Sequence, residues 1–184
     1  MACVAMATGA LAETKNVTFW YQEGSYYFFK DRLNITKREE TKTCERITTA
    51  TRTLDRGGWY YVEGEVKLDH GLELKDDAHI VLMNGSRLVI NAPDNTPGIA
   101  VRYGTFNSDD LYIYGQEQEL GERGVLEVHG GKNAAGIGGL CEDTGYRHCG
   151  NIYICGGCVL AYGGENAAGI GGSHYNDNYS GRRS

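Results

Sequence analysis

Apolar residues recur along this chain in short pairs, two positions apart. From residue 57 onward they include Tyr60/Val62, Val66/Leu68, Leu72/Leu74, Ile80/Leu82, Leu88/Ile90, Ile99/Val101, Leu111/Ile113, Leu126/Val128, Ile152/Ile154 and Val159/Ala161. A two-residue period is what a half-buried strand produces, and no 3.6-residue helical period accompanies it. The pairs sort into three classes. The first follows Gly and holds Leu72/Leu74, Ile99/Val101, Ile137 and Ile170. The second holds Tyr60/Val62, Ile80/Leu82, Leu111/Ile113 and Ile152/Ile154, and the third Val66/Leu68, Leu88/Ile90, Leu126/Val128 and Val159/Ala161. Their order along the chain never changes.

An internal repeat sets the period. Gly130-Gly131-Lys132-Asn133-Ala134-Ala135-Gly136-Ile137-Gly138-Gly139 returns as Gly163-Gly164-Glu165-Asn166-Ala167-Ala168-Gly169-Ile170-Gly171-Gly172, with Lys132/Glu165 the single difference. Three short strands per repeat predict an all-β fold, a right-handed parallel β-helix with three strands per coil. Each strand would stack on its counterpart one coil away, because a single turn cannot bury a core alone. A β-sandwich would need hairpin turns, and no consistent two-residue turn signal is present.

Residues 13–56 lack this pattern. Val17–Tyr21 and Tyr26–Phe29 flank Gln22-Glu23-Gly24-Ser25, which predicts a β-hairpin, and residues 30–56 are polar. This N-terminal segment is expected to cap the open end of the coil, whose strand edges would otherwise be exposed. The coil itself is assigned to residues 57–184. Ile170 opens a coil shortly before the chain stops, so truncation at the C-terminus is expected. Residues 1–12 are small and apolar, and Ala10-Leu11-Ala12 before Glu13 fits a signal-peptidase site, marking a candidate signal-peptide remnant. A secreted or cell-surface location follows from that reading.

Composition narrows the classes. The 27 Gly are about twice the usual share, yet only 2 Pro and no three-residue Gly period exclude collagen. Only Gly9 and Gly24 precede Gly57, so the surplus belongs to the coil, where Gly is expected to supply the left-handed backbone and close approach needed at the corners. The net charge of −6 carries no basic stripe, which argues against nucleic acid as a partner. No apolar run approaches the roughly 20 residues of a membrane-spanning helix.

Certain segments carry a family likeness. They are Gly58-Trp59-Tyr60-Tyr61-Val62-Glu63-Gly64-Glu65-Val66, His79-Ile80-Val81-Leu82-Met83-Asn84-Gly85 followed by Leu88, Leu111-Tyr112-Ile113-Tyr114-Gly115-Gln116, and both Ala-Gly-Ile-Gly-Gly runs. Over about residues 40–173 the chain resembles the secreted, β-helical carbohydrate-binding domain proteins of anaerobic bacteria, within the pectate-lyase-like superfamily. The resemblance implies a right-handed parallel β-helix and polysaccharide, or a cell-surface glycan, as partner.

Strand alternation turns the inward pairs into outward ladders. Stacking the second class aligns Tyr61, Val81, Tyr112 and Tyr153, with Met83, Tyr114 and Cys155 alongside. Tyr112, Tyr114 and Tyr153 would form a flat aromatic strip on which sugar rings stack. The competing expectation is that stacked tyrosines only stabilise the sheet. In the third class His129 and Tyr162 align beside Asn91 on what is expected to be a solvated face. Asp76/Asp77, Asp109/Asp110, Glu142/Asp143 and Asp177 are acidic loop residues of the kind Ca²⁺ takes as ligands, although they share no calcium motif. No nucleophile–base set or phosphate loop stands out, so the expected activity is non-catalytic binding. A structural or adhesive stalk is the first rival, and a Ca²⁺-dependent polysaccharide lyase the second. Of six Cys, four fall between Cys141 and Cys158. A Cys141–Cys149 disulfide would suit an oxidising compartment. A zinc site from Cys141, Cys149, Cys155 and Cys158, or free thiols, are the other readings.

Overall fold

The computed structural model describes residues 12–27, 32–103, 108–116, 122–139 and 149–172, without the side chains of residues 22–27 and 32–36. Those residues form strands, turns and loops with no helix. Two long strands open the chain, β1 (Thr14–Tyr27) and β2 (Arg32–Arg46). Short strands follow: β3 (Thr53–Leu54), β4 (Gly58–Val62), β5 (Glu65–Leu68), β6 (Leu72–Leu74), β7 (Ala78–Leu82), β8 (Arg87–Asn91) and β9 (Ile99–Ala100). The rest are β10 (Asp110–Gly115), β11 (Val125–His129), β12 (Ile137–Gly138), β13 (Asn151–Ile154), β14 (Cys158–Tyr162) and β15 (Ile170–Gly171).

The short strands are dealt into three sheets in turn. One sheet runs β1-β2-β4-β7-β10-β13, the next β5-β8-β11-β14, and the last β3-β6-β9-β12-β15. Every pairing between short strands is parallel, one coil against the next, which fits a β-solenoid. The three classes of apolar pair are these three sheets. In the second sheet the register follows the sequence reading: Val66, Leu88, Leu126 and Val159 are level, as are Leu68, Ile90, Val128 and Ala161. All three inward faces meet in one aliphatic interior that includes Leu54, Val62, Leu74, Ile80, Leu88, Ile99, Ile113, Val128 and Ile137.

Gly supplies left-handed backbone at one set of corners, and Asn supplies it at another. Gly64, Gly85 and Gly157 have φ of 70°, 70° and 76° where the chain leaves the first sheet for the second. Between the second and third sheets the same conformation falls on Asn95, Asn133 and Asn166, at 59°, 63° and 64°. Asn is the side chain best suited to this region after Gly, because its short amide bonds locally. Here the amides also stack: Asn133 Nδ2 donates to Asn95 Oδ1 at 3.2 Å. The neighbouring Gly-Gly pairs serve close approach instead. A Cβ on Gly131 would lie 1.8 Å from the Pro93 carbonyl oxygen, and one on Gly164 would lie 1.9 Å from that of Gly131.

The N-terminal hairpin differs from expectation in turn, extent and position. Residues 22–25 lie inside β1, and pairing continues to Tyr27↔Arg32, so the connection falls at residues 28–31. The polar segment around Lys37-Arg38-Glu39-Glu40 is strand β2, not loop. Its outward charges and threonines are solvated while Cys44 is buried, so no apolar alternation marked it. At the coil end β2 extends the sheet through Glu45↔Tyr60 and Arg46↔Tyr61. The hairpin also reaches over the sheet's outer face, where Trp20 pairs with Gly115 of β10. That pairing closes β1-β2-β4-β7-β10 into a five-stranded ring. A second core fills it: Val17, Phe19, Cys44, Tyr61, Val81 and Tyr114.

Candidate functional site

The first sheet carries the aromatic face, and its register departs from the one expected. Ile113 is level with Ile80 and Tyr60, while Leu111 is level with Ala78. The inward row of β7 therefore begins at Ala78, a side chain too small to register as half of an apolar pair. This two-residue shift rebuilds both outward ladders. One contains Tyr61, Val81 and Tyr114; the other contains Trp59, His79, Tyr112 and Tyr153.

Tyr114 leaves the proposed strip because the hairpin covers it. It is 7% exposed, with its ring 4.5 Å from Phe19 inside the five-stranded ring. Desolvation there pushes its phenol well above the usual range. Tyr112 and Tyr153 do stack, with centroids 4.6 Å apart and planes 9° apart. Trp59 and His79 extend the stack, at 4.0 Å from each other and 4.7 Å from His79 to Tyr112. Sequence reasoning missed these two because it lacked the register. The small residues Gly58 and Ala78, one position earlier in each strand, were the available signal.

The stack is not a flat platform. Rings one above another at strand spacing cover each other's faces and turn their edges to solvent. Lys42 Nζ lies 5.3 Å from the Trp59 centroid. Tyr153, the last ring of the stack among the described residues, is 42% exposed. Burial lowers the His79 pKa, with Asp77 opposing it, so a neutral imidazole suits its place between two rings. Tyr114 Oη and His79 Nδ1 lie 3.4 Å apart. The Tyr112 hydroxyl donates to Asp110 at 3.3 Å; desolvation and that carboxylate push its pKa up to about 12.

Beside the rings runs an acidic corner. Asp77 Oδ1 accepts from the Asp110 N–H at 3.1 Å, Asp109 Oδ2 from the Arg102 N–H at 2.8 Å, and Asp110 Oδ1 from Asn151 Nδ2 at 2.8 Å. Asp76 pairs with Arg56. The carboxylates of Asp76, Asp77 and Asp110 tie one coil to the next, that of Asp109 closes its own loop, and no group of three or more acidic, His or Cys side chains is placed to hold a metal among the described residues. Glu142/Asp143 and Asp177 lie outside the described residues.

On the second sheet His129 and Tyr162 are level with Asn91, as expected. Their rings stack at 4.7 Å. Glu127 bonds His129 at 2.8 Å and pairs with Arg87; these contacts hold its carboxyl below the usual range. The face is thus an organised polar cluster.

Cys44, Cys149, Cys155 and Cys158 form no disulfide with one another. Burial pushes Cys44 up to about 11 and raises Cys149 and Cys155, which makes all three poor nucleophiles. Cys141 lies outside the described residues, and with it the expected pairing to Cys149. No helix among the described residues is long and apolar enough to cross a membrane. No family model, curated protein or solved structure matches this chain.

Proposed function

We propose that this protein is a secreted or cell-surface, right-handed parallel β-helix that holds an extended polysaccharide without cleaving it, as in the carbohydrate-binding family it resembles. One observation supports the reading most: the stack Trp59–His79–Tyr112–Tyr153 advances one ring per coil. Asp110 and Asn151 lie in the strands that carry its last two rings. A linear glycan also repeats along a line, and the phenol, carboxylate and amide groups beside these rings suit its hydroxyls. Contact is assigned to Tyr153, the most exposed ring of the stack among the described residues, and to the edge of Tyr112; Tyr114 has no part in it.

The stalk reading also has an observation in its favour. The inner ring faces are covered by one another, as in an arrangement that only stiffens the coil. Retention on insoluble polysaccharides separates the two. Wild type is expected to be retained on at least one glycan, and Tyr153→Ala to abolish retention while leaving the melting temperature nearly unchanged. Retention on no glycan would favour the stalk.

A further inference from the structure

Two rows of side chains on the first sheet advance in step with the coils. Ring centroids from Trp59 to Tyr153 follow one another at 4.0, 4.7 and 4.6 Å, with planes 4°, 20° and 9° apart. The second row stands two positions earlier in each coil. Asp77 comes before the inward-facing Ala78 as Asp110 does before Leu111 and Asn151 before Ile152. Asp77 accepts from the Asp110 N–H at 3.1 Å, and Asp110 from Asn151 Nδ2 at 2.8 Å, so this row also moves one coil per residue. Each carboxylate oxygen keeps a lone pair beyond these bonds, and Asn151 is exposed. Three successive coils therefore repeat a pairing of polar group and ring: Asp77 with His79, Asp110 with Tyr112, and Asn151 with Tyr153.

That step selects a shape of glycan. Stacked strands lie about 4.8 Å apart, so a chain that meets all three pairings advances nearly that far per sugar. This is close to the full length of a pyranose unit measured along its chain. Equatorial bonds at opposite ends of the ring, as in β-1,4-linked polymers of glucose, mannose or xylose, produce such an extended, flat ribbon. An α-1,4-linked or β-1,3-linked glucan winds into a helix with a shorter rise per sugar, so its neighbouring sugars leave the rows. A ribbon also turns its C–H faces one way and its hydroxyls sideways, which matches ring edges flanked by carboxylate and amide groups.

We propose that the stack holds a β-1,4-linked, ribbon-shaped polysaccharide lying along the coil axis, one sugar per coil; the linkage rests on the polysaccharide reading above. The sugar at Tyr153 bonds Asn151, and the sugar at Tyr112 bonds Asp110.

Titration calorimetry with oligosaccharides of two to five sugars tests it. The β-1,4 series are built from glucose, mannose or xylose, and the α-1,4 and β-1,3 series from glucose. At least one β-1,4 series is expected to gain about tenfold or more in affinity between two and four sugars, then level off. The other two linkages should show no such gain. Asn151→Ala should weaken binding of the β-1,4 tetrasaccharide about fivefold. Asn151 is exposed, so this variant should melt close to the wild type. A matching gain with length in the α-1,4 or β-1,3 series, or no gain in any β-1,4 series, would overturn the linkage. If that happens while an insoluble polysaccharide still retains the protein, the polysaccharide reading stands without it. If no polysaccharide retains the protein and no oligosaccharide binds, both fail.

Discussion

The two copies of the Gly-Gly-Xaa-Asn-Ala-Ala-Gly-Ile-Gly-Gly segment differ in one side chain and in almost everything about their surroundings. In the first copy Ile137 is fully buried; in the second Ile170 is 46% exposed. Ala135 is buried and Ala168 exposed. The backbone explains the difference: the N–H groups of Gly136, Ile137 and Gly139 donate to the carbonyls of Ala168, Gly169 and Gly171. The first copy has described coils on both sides, whereas the second belongs to the last one described. In a stack, a coil's environment is set by its neighbours as much as by its own residues.

Paired substitutions sharpen this contrast. The largest effect is expected at Gly138. Its φ is 154°, and a Cβ there would lie 1.7 Å from the Gly171 carbonyl oxygen, so Gly138→Ala should destabilise by about 3 kcal/mol or more. Gly171→Ala, with only Ala168 Cβ at 3.5 Å, should cost only the backbone strain of about 1–2 kcal/mol. Next, Ile137→Ala should cost about 2–5 kcal/mol, and Ile170→Ala roughly 1 or less. Urea denaturation of the four variants measures both contrasts, and equal losses within each pair would break the comparison.

The Asn corner gives a smaller difference. Asn133→Ala loses both the left-handed preference and the amide bond to Asn95, for a total of about 2 kcal/mol. Asn133→Gly keeps the backbone and should lose about half of that.

The ring stack extends the contrast between inner and outer positions into pH. His79 lies between two rings, and its folded pKa is depressed. Its stabilising contribution is complete above the ordinary histidine value of about 6.5 and is lost as pH falls from there through the depressed value. His79→Phe should remove that acid-sensitive component, while Tyr153→Phe should leave it in place; thermal melts between pH 7 and pH 5 would show it. This is the smallest of the expected effects.

The sequence made the coil legible because ladders of large aliphatics repeat in fixed order, and in the second sheet even the register followed. Legibility failed wherever an inward residue was small. Ala78 hid the true start of β7, and that two-residue error left out Trp59 and His79, whereas Tyr114 was lost because the hairpin covers it. It failed again in β2, whose polar residues give no alternation and which is held instead by β1. The five-stranded ring was invisible because its closure depends on one contact between distant residues, Trp20 and Gly115.

Amide hydrogen exchange across the two repeats tests the central claim most directly. Ala-Gly-Ile-Gly-Gly is identical in both copies, so intrinsic exchange rates are matched and only the neighbouring coil differs. The Gly136, Ile137 and Gly139 amides should exchange far more slowly than those of Gly169, Ile170 and Gly172. Equal protection of the two copies would contradict a stack in which each coil is secured by the next.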